Sequence, residues 1–282
     1  MSGRAQEGIE ILMSENQTVG ATFTSQIWRS LDRYLGRGSY YWLRDRIHPK
    51  REYTQLTYAR LIDDVLTTQT RWLDAGGGHK IIEVTAPDIE LAMVRRVRLA
   101  ACCDRVVDAI AKHRSIRVAV GATLDQLPFR SGSLDLITLN SVAEHLEQPG
   151  EVMAEFVRVL APGGRLIVHT PNISSYAMRI ADLGRRALPK PFVMKMIRYM
   201  DFRDEEDVFP TYYRANTCAD LSAAAGQAGL SIEKMLLVPA RPLFYFVAPL
   251  CAAELAASRL LIGIGAENFA ASVILAVFRK PA

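Results

Sequence analysis

Asp74 precedes Ala75 and the triplet Gly76-Gly77-Gly78. A carboxylate that ends a strand and runs into glycines suits a zwitterion. Glycines tolerate positive φ and let a ligand come close to the backbone. The N–H groups of such a turn attract a carboxylate, and the Asp74 side chain attracts an ammonium. The same residues also make a plain glycine turn, so this feature decides nothing by itself. Asp104 is a second carboxylate, at the end of a second predicted strand. From there it can accept two ribose hydroxyls, and it can equally start a helix as an N-cap.

His48, His79, His113, His145 and His169 are the side chains whose ordinary titration falls near neutrality. His145 and His169 lie near the ends of predicted strands, and His145 is the candidate general base. The five histidines show no metal-ligand spacing and no HExxH, so no metal is expected. Cys102, Cys103, Cys218 and Cys251 form no CxxC pair and read as reduced thiols.

These residues need a scaffold that alternates strands and helices. Arg71–Asp74, Leu99–Cys103, Ile116–Val120, Leu134–Leu139, Arg165–Thr170, Ser231–Val238 and Ser272–Phe278 read as strands. Helices are expected after Cys103, from Glu151 to Leu160 and from Cys218 to Ala228. Pro162-Gly163-Gly164 reads as a turn. The pattern loosens after Asn172, for longer than an ordinary connection. The expectation is a doubly wound α/β fold with a mainly parallel seven-stranded Rossmann-like sheet, helices on both faces, and insertions forming a cap. Ligands of such sheets sit beyond the carboxyl ends of the strands, where strand order reverses.

Two further signals follow the glycine loop and Asp104. One is Asp125-Gln126-Leu127-Pro128-Phe129 with Gly132-Ser133-Leu134-Asp135-Leu136. The other is Glu144-His145-Leu146, then Arg158-Val159-Leu160-Ala161-Pro162-Gly163-Gly164 and Thr170-Pro171-Asn172. In this order the four signals resemble the class I S-adenosylmethionine-dependent methyltransferases. The likeness is to the small-molecule group related to the ubiquinone and menaquinone methyltransferases, over roughly residues 70–172. That resemblance implies S-adenosyl-L-methionine as cofactor, with Asp74, Gly76 and Gly78 at its methionine end. It also implies Asp104 at the ribose, Thr123 and Leu124 beside adenine, and Asn140 near the sulfonium. The chain departs from the family at Lys80, where a further glycine is usual, and at Thr123, where an acid is usual. The stretch Ile81 to Arg98 lengthens the path to Asp104, which leaves Glu83, Asp88 and Glu90 as rival ribose acids.

The 282 residues are 50% hydrophobic and 23% charged, enough to bury a large core. The net charge of +4 is too mild to indicate a nucleic-acid partner, and the Asn/Asp-Pro-Pro-Tyr motif of nucleobase amino-methyltransferases is absent. A helical or irregular lead-in is expected over 1–52 and the cofactor-binding domain over 53–282, with insertions near 173–214 and 239–270. The first residues show no secretory signal, so a cytoplasmic protein is expected. Leu243 to Gly265 is strongly apolar but holds Glu254 and Arg259, which favours a buried or interfacial helix over a spanning one. With the basic run Arg185, Arg186, Lys190, Lys195 and Arg198, it suggests peripheral membrane contact. The expected acceptor is a small or lipid-like molecule, methylated at oxygen or carbon. The alternative is a non-catalytic binding or scaffold protein on the same fold. A nicotinamide site is disfavoured, because its fingerprint requires glycine where Ile81 stands.

Overall fold

The structure, a computed structural model, describes residues 37–49, 51–82, 87–187 and 209–282. They fall into two compact units. The described part of the first comprises 37–49 and 242–257. It holds helix α1 (Arg37–Ile47), where the guanidiniums of Arg44 and Arg46 lie over the rings of Tyr41 and Trp42. In its other segment, the Glu254 carboxylate accepts the Leu243 and Phe244 backbone N–H groups at 2.8 and 3.0 Å.

The second unit holds the sheet. Its elements begin with α2 (Thr54–Asp63), β1 (Arg71–Ala75), α3 (Pro87–Arg96), β2 (Leu99–Asp104), α4 (Val107–Ala111) and β3 (Val118–Gly121). There follow β4 (Leu134–Asn140), a single 3₁₀ turn (Ala143–His145), α5 (Pro149–Val159), β5 (Leu160–Pro171) and α6 (Tyr176–Ala187). The chain closes with α7 (Cys218–Gln227), β6 (Ser231–Val238), α8 (Ala248–Gly263), α9 (Glu267–Ala270) and β7 (Val273–Arg279). Residues of α8 belong to both units.

The seven strands form one sheet in the order β3-β2-β1-β4-β5-β7-β6. All neighbours are parallel except β7, which runs antiparallel to both β5 and β6. Strand order reverses between β1 and β4. Side chains alternate between two cores, as a sheet covered on both faces requires. Leu73, Ala101, Ile137 and Leu139 pack with Phe156 and Val152 of α5. Trp72, Cys102, Leu136 and Ile167 pack on the other face with Tyr58 and Ile62 of α2.

Three expectations need correction. Pro162-Gly163-Gly164 does not separate α5 from β5 but lies within β5 as a bulge, between the pairs Leu134–Leu160 and Leu136–Arg165. Gly163 takes φ +77°, and the bulge is held by reciprocal backbone bonds with Lys280 at 3.0 and 2.8 Å. The loosened stretch after Asn172 contains α6, started by the Ser175 hydroxyl accepting the Met178 N–H. The lengthened stretch after Ile81 contains α3. The remaining residues of the expected 173–214 insertion include 188–208, outside the described residues.

Candidate active site

The glycine loop is shaped by what lies below it. Gly76 has φ +68° and Gly78 φ +51°. A Cβ on Gly76 would stand 2.6 Å from Val142 Cγ2, whereas a Cβ on Gly78 would meet nothing within 4 Å. The first glycine is therefore required by packing and the third faces open space in the cleft. Gly76 N–H donates to the Cys103 carbonyl at 2.7 Å, which pins the loop to β2.

Asp74 is not in the cleft wall. It is 1% exposed and lies beneath the loop. Trp72 Nε1 donates to Thr138 Oγ1 at 2.8 Å, so the Thr138 hydroxyl is turned to donate to Asp74 Oδ1 at 2.6 Å. Oδ2 is buried without a hydrogen-bond partner. Burial pushes this carboxyl up to about 8, opposed by the Thr138 hydrogen bond and reinforced by the carboxylates of Glu90 and Asp104.

Asp104 lines the cleft and organises it. Its Oδ2 accepts the Gly78 N–H at 3.1 Å and its Oδ1 accepts the Val106 N–H at 2.8 Å. It is not the N-cap of α4, a position held by Val106. Each carboxylate oxygen keeps a second lone pair for a ligand hydroxyl. Of the rival acids, Glu90 is fully buried, accepts the Ile82 N–H at 2.8 Å and pairs with Arg114, so it cannot face a ribose. Glu83 and the side chain of Asp88 lie outside the described residues.

The cleft has a volume of about 1200 Å³ and opens at the carboxyl ends of β1, β2 and β4. Gly76, Gly78, Lys80, Asp104, Thr123, Leu124, Asn140 and His145 all line it. The loop bearing Thr123 and Leu124 is braced from α5. Arg158 donates to the carbonyls of Leu127 and Phe129 at 2.9 and 2.8 Å, and Glu155 accepts the Leu127 N–H at 2.7 Å. Arg158 and Glu155 also pair with each other at 2.7 Å. Their clamp explains why Leu127-Pro128-Phe129 and Arg158 occur together.

Asn140 exchanges two 3.0 Å amide bonds with Gln55 of α2 and donates to the Ile81 carbonyl at 2.8 Å. It ties the end of β4 to the glycine segment. Ser141 then turns with φ +56°. His145 sits half-buried on the 3₁₀ turn, with Nδ1 2.8 Å from the Pro210 carbonyl. A carbonyl accepts only, so Nδ1 carries a proton, and in the neutral ring Nε2 keeps the lone pair. Phe209 packs edge-on against the His145 ring, and Tyr212 joins them in lining the cleft. His169 lies away from the cleft wall, buried against Thr54 and Gln55.

Sequence reasoning passed over Gln55, Phe209 and Asp125 as site residues. Gln55 acts through Asn140 from a helix whose other residues are mostly buried in the core, and Phe209 has no motif around it. Asp125 lines the cleft two residues beyond Thr123, where an acid was thought to be missing. It was visible within the Asp125–Phe129 signal itself.

The glycine loop and the Asp104 carboxylate meet at the switch point of a doubly wound sheet, the place where such sheets bind their ligands. Residues 68–168 match the model of the family described as "Methyltransferase domain". The chain is 30% identical to a demethylmenaquinone methyltransferase of Corynebacterium efficiens over 125 residues, 42% of this chain and 54% of that one. It is 24% identical to a ubiquinone biosynthesis O-methyltransferase of Xanthomonas oryzae over 186 residues, 61% of this chain and 73% of that one. An S-adenosylmethionine-dependent methyltransferase from Mesorhizobium loti shares the fold, with a TM-score of 0.50 at 15% identity over 78% of this chain and 96% of that one. The chain spans 24% of one curated relative, an uncharacterized transposon protein of Streptomyces fradiae, and about half of the Corynebacterium enzyme. Over residues 68–168 the chain is thus similar to a methyltransferase domain, and the sheet it forms is shared with a solved S-adenosylmethionine-dependent methyltransferase. The buried, unpartnered Asp74 Oδ2, the open space above Gly78 and the spare lone pairs of Asp104 fit an adenosyl amino acid.

Proposed function

We propose that this protein transfers a methyl group from S-adenosylmethionine to oxygen or carbon of a small or lipid-like acceptor. The observation that carries it is a single cleft at the strand ends, lined by Gly76, Gly78, Asp104, Thr123, Asn140 and His145. S-adenosylmethionine supplies an already activated methyl group, so the protein's task is alignment and exclusion of water. The Gly76–Gly78 backbone receives the amino-acid end, with the Asp74 charge below it. Asp104 accepts the ribose hydroxyls, and Thr123 and Leu124 flank the base. Asn140, locked by Gln55 and the Ile81 carbonyl, fixes the wall beside the reacting end. His145 Nε2 takes the proton from an acceptor hydroxyl, while Phe209 and Tyr212 offer aromatic surface to the acceptor.

The relatives named for menaquinone and ubiquinone biosynthesis support an acceptor of this kind. Calorimetry with S-adenosylhomocysteine and NAD tests the cofactor part. Binding of the first and not the second is expected, and the reverse would sink the reading. Transfer of isotopically labelled methyl from S-adenosylmethionine into a metabolite and lipid extract then identifies the acceptor.

A further inference from the structure

The face of the sheet that carries Asp74 holds two complementary defects. Asp74 Oδ2 is buried and accepts nothing. His113 is 2% exposed, and its Nε2 is buried without a partner. Its other nitrogen, Nδ1, accepts the backbone N–H groups of Ser115 and Ile116 at 3.2 and 3.0 Å. An oxygen of Asp74, the Cys102 Sγ and a ring nitrogen of His113 all lie within 4.8 Å of one another.

The protonation of His113 decides what this trio does. Two N–H donors converge on Nδ1, so Nδ1 holds a lone pair. In the neutral ring the proton then sits on Nε2. The ring is neutral, because burial drives its titration down to about 4 against the opposing pull of Glu90. Nε2 therefore presents an N–H, whereas a metal ion needs a lone pair there. The trio thus brings an unsatisfied N–H donor and an unsatisfied carboxylate oxygen into one buried cluster. Leaving both buried and unmade would forfeit the hydrogen bonds that each makes in water. Where two such buried groups stand too far apart for a direct bond, a buried water is the usual bridge.

We propose that His113 is a positioning residue, donating Nε2–H directly or through one buried water to Asp74 Oδ2 and holding that carboxylate in place beneath Gly77. Its consequence for ligand binding rests on the reading of the glycine loop as the cofactor's amino-acid end; the pairing itself does not. The other groups around Asp74 do not replace it. Glu90 and Asp104 oppose the Asp74 charge. Glu90 is engaged by Arg114, Ser115 and the Ile82 N–H. The Cys102 thiol stays neutral, since burial and the Asp74 charge raise it. The buried Tyr58 hydroxyl of α2 is held neutral by burial and by the same carboxylate. His79, Arg114 and Arg117 act on the His113 ring and favour its neutral form.

His113→Asn separates this role from a structural one. An asparagine oxygen can take over the Ser115 and Ile116 N–H groups, as in an Asx turn, but its amide cannot reach Asp74. His113→Ala loses both functions and is expected to melt below His113→Asn. Two readouts are used on the full chain. The first is the Asp74 carboxyl titration by carbon-13 NMR without cofactor, together with the nitrogen-15 shifts of His113. Expected are a protonated Nε2, a bare Nδ1, and an Asp74 midpoint that moves up by about one pH unit in His113→Asn. The second is S-adenosylhomocysteine affinity at neutral pH, expected to weaken about tenfold or more. An unchanged Asp74 midpoint, or a proton on Nδ1, would overturn the proposal. So would one equivalent of zinc bound by the wild type and lost in His113→Asn. A shifted midpoint with no S-adenosylhomocysteine binding to either protein would uphold the pair and refute the cofactor reading instead.

Discussion

Asp74 lies directly under Gly77. A Cβ on that glycine would stand 2.2 Å from Asp74 Oδ2 and 2.9 Å from the Cys102 Sγ. The middle glycine of the loop is thus fixed by the carboxylate below it, and the carboxylate is sealed from water by the loop. A carboxyl kept this dry ionises more readily when a positive charge or a hydrogen-bond donor comes close.

The first prediction follows from that sealing. With its titration near 8, Asp74 is mostly protonated at pH 7 in the free protein. A ligand ammonium favours the ionised form, so binding lowers the titration and releases a proton. Affinity should rise with pH up to about 8 and flatten above it. Calorimetry with S-adenosylhomocysteine at pH 7, in buffers of different ionisation enthalpy, measures the release. Asp74→Asn should abolish it and weaken binding about tenfold or more. An equal release from that variant would show that Asp74 is not the group.

Gly76 and Gly78 should respond differently to alanine, although both have positive φ. Gly76→Ala drives a methyl into Val142 and should destabilise the fold by well over 1 kcal/mol. Gly78→Ala meets no neighbour, so it should cost only about 1 kcal/mol of backbone strain while weakening the cofactor through the methyl placed in the cleft. Thermal melts and calorimetry on both variants check the contrast. Equal losses of stability would mean that the loop is not built as described.

The Arg158 clamp gives a prediction about order in the cleft wall that carries Thr123 and Leu124. Arg158→Ala frees the carbonyls of Leu127 and Phe129 and leaves Glu155 without its partner. A stability loss of about 1–3 kcal/mol is expected, with faster amide exchange confined to the segment around Thr123–Phe129. Unchanged exchange there would show that the loop holds itself.

The strands were legible because each is a short apolar run closed by a turn residue, and β1, β2, β4, β6 and β7 end within a residue or so of their expected places. Gly76, Asp104 and Asn140 were legible for the same reason, since strand ends in a doubly wound sheet converge on one side. Asp74 was placed in the wrong layer. Its spacing from the glycines is equally compatible with lining a ligand or underlying the loop, and only the packing of Thr138 and Cys102 decides between them. Helix α6 was legible in principle, since Tyr176, Ile180 and Leu183 recur at helical spacing, and it was passed over within the loosened stretch after Asn172. Phe209 reaches the cleft, and Gln55 reaches Asn140 in its wall, from segments distant in sequence, and no local pattern encodes such a meeting.

His145 should matter to transfer and not to cofactor binding. Its Nδ1 is committed to Pro210, which leaves the Nε2 lone pair for the proposed role as base. His145→Gln should slow transfer to a hydroxyl acceptor by about 10²–10⁴-fold, with S-adenosylhomocysteine affinity within about twofold of wild type. A loss of affinity without a loss of turnover would make His145 a wall of the cofactor site.

The acceptor prediction turns on the end of α8. Leu260 and Ile264 are 66% and 69% exposed, near the glycine that closes the helix. No helix among the described residues is long and apolar enough to cross a membrane. Apolar side chains left in water at a helix end suit shallow insertion at a lipid surface. The basic run from Arg185 to Lys195 and Arg198 adds attraction for anionic headgroups; its side chains lie outside the described residues. Flotation should therefore recover the protein with anionic liposomes more than with neutral ones. The difference should shrink as salt screens the charges. The double substitution Leu260→Glu and Ile264→Glu should reduce recovery at every salt concentration, because the apolar contribution is not screened. Absence of the protein from both liposome fractions, with turnover on a freely soluble polar acceptor, would exclude the lipid-like acceptor and leave the methyl transfer itself intact.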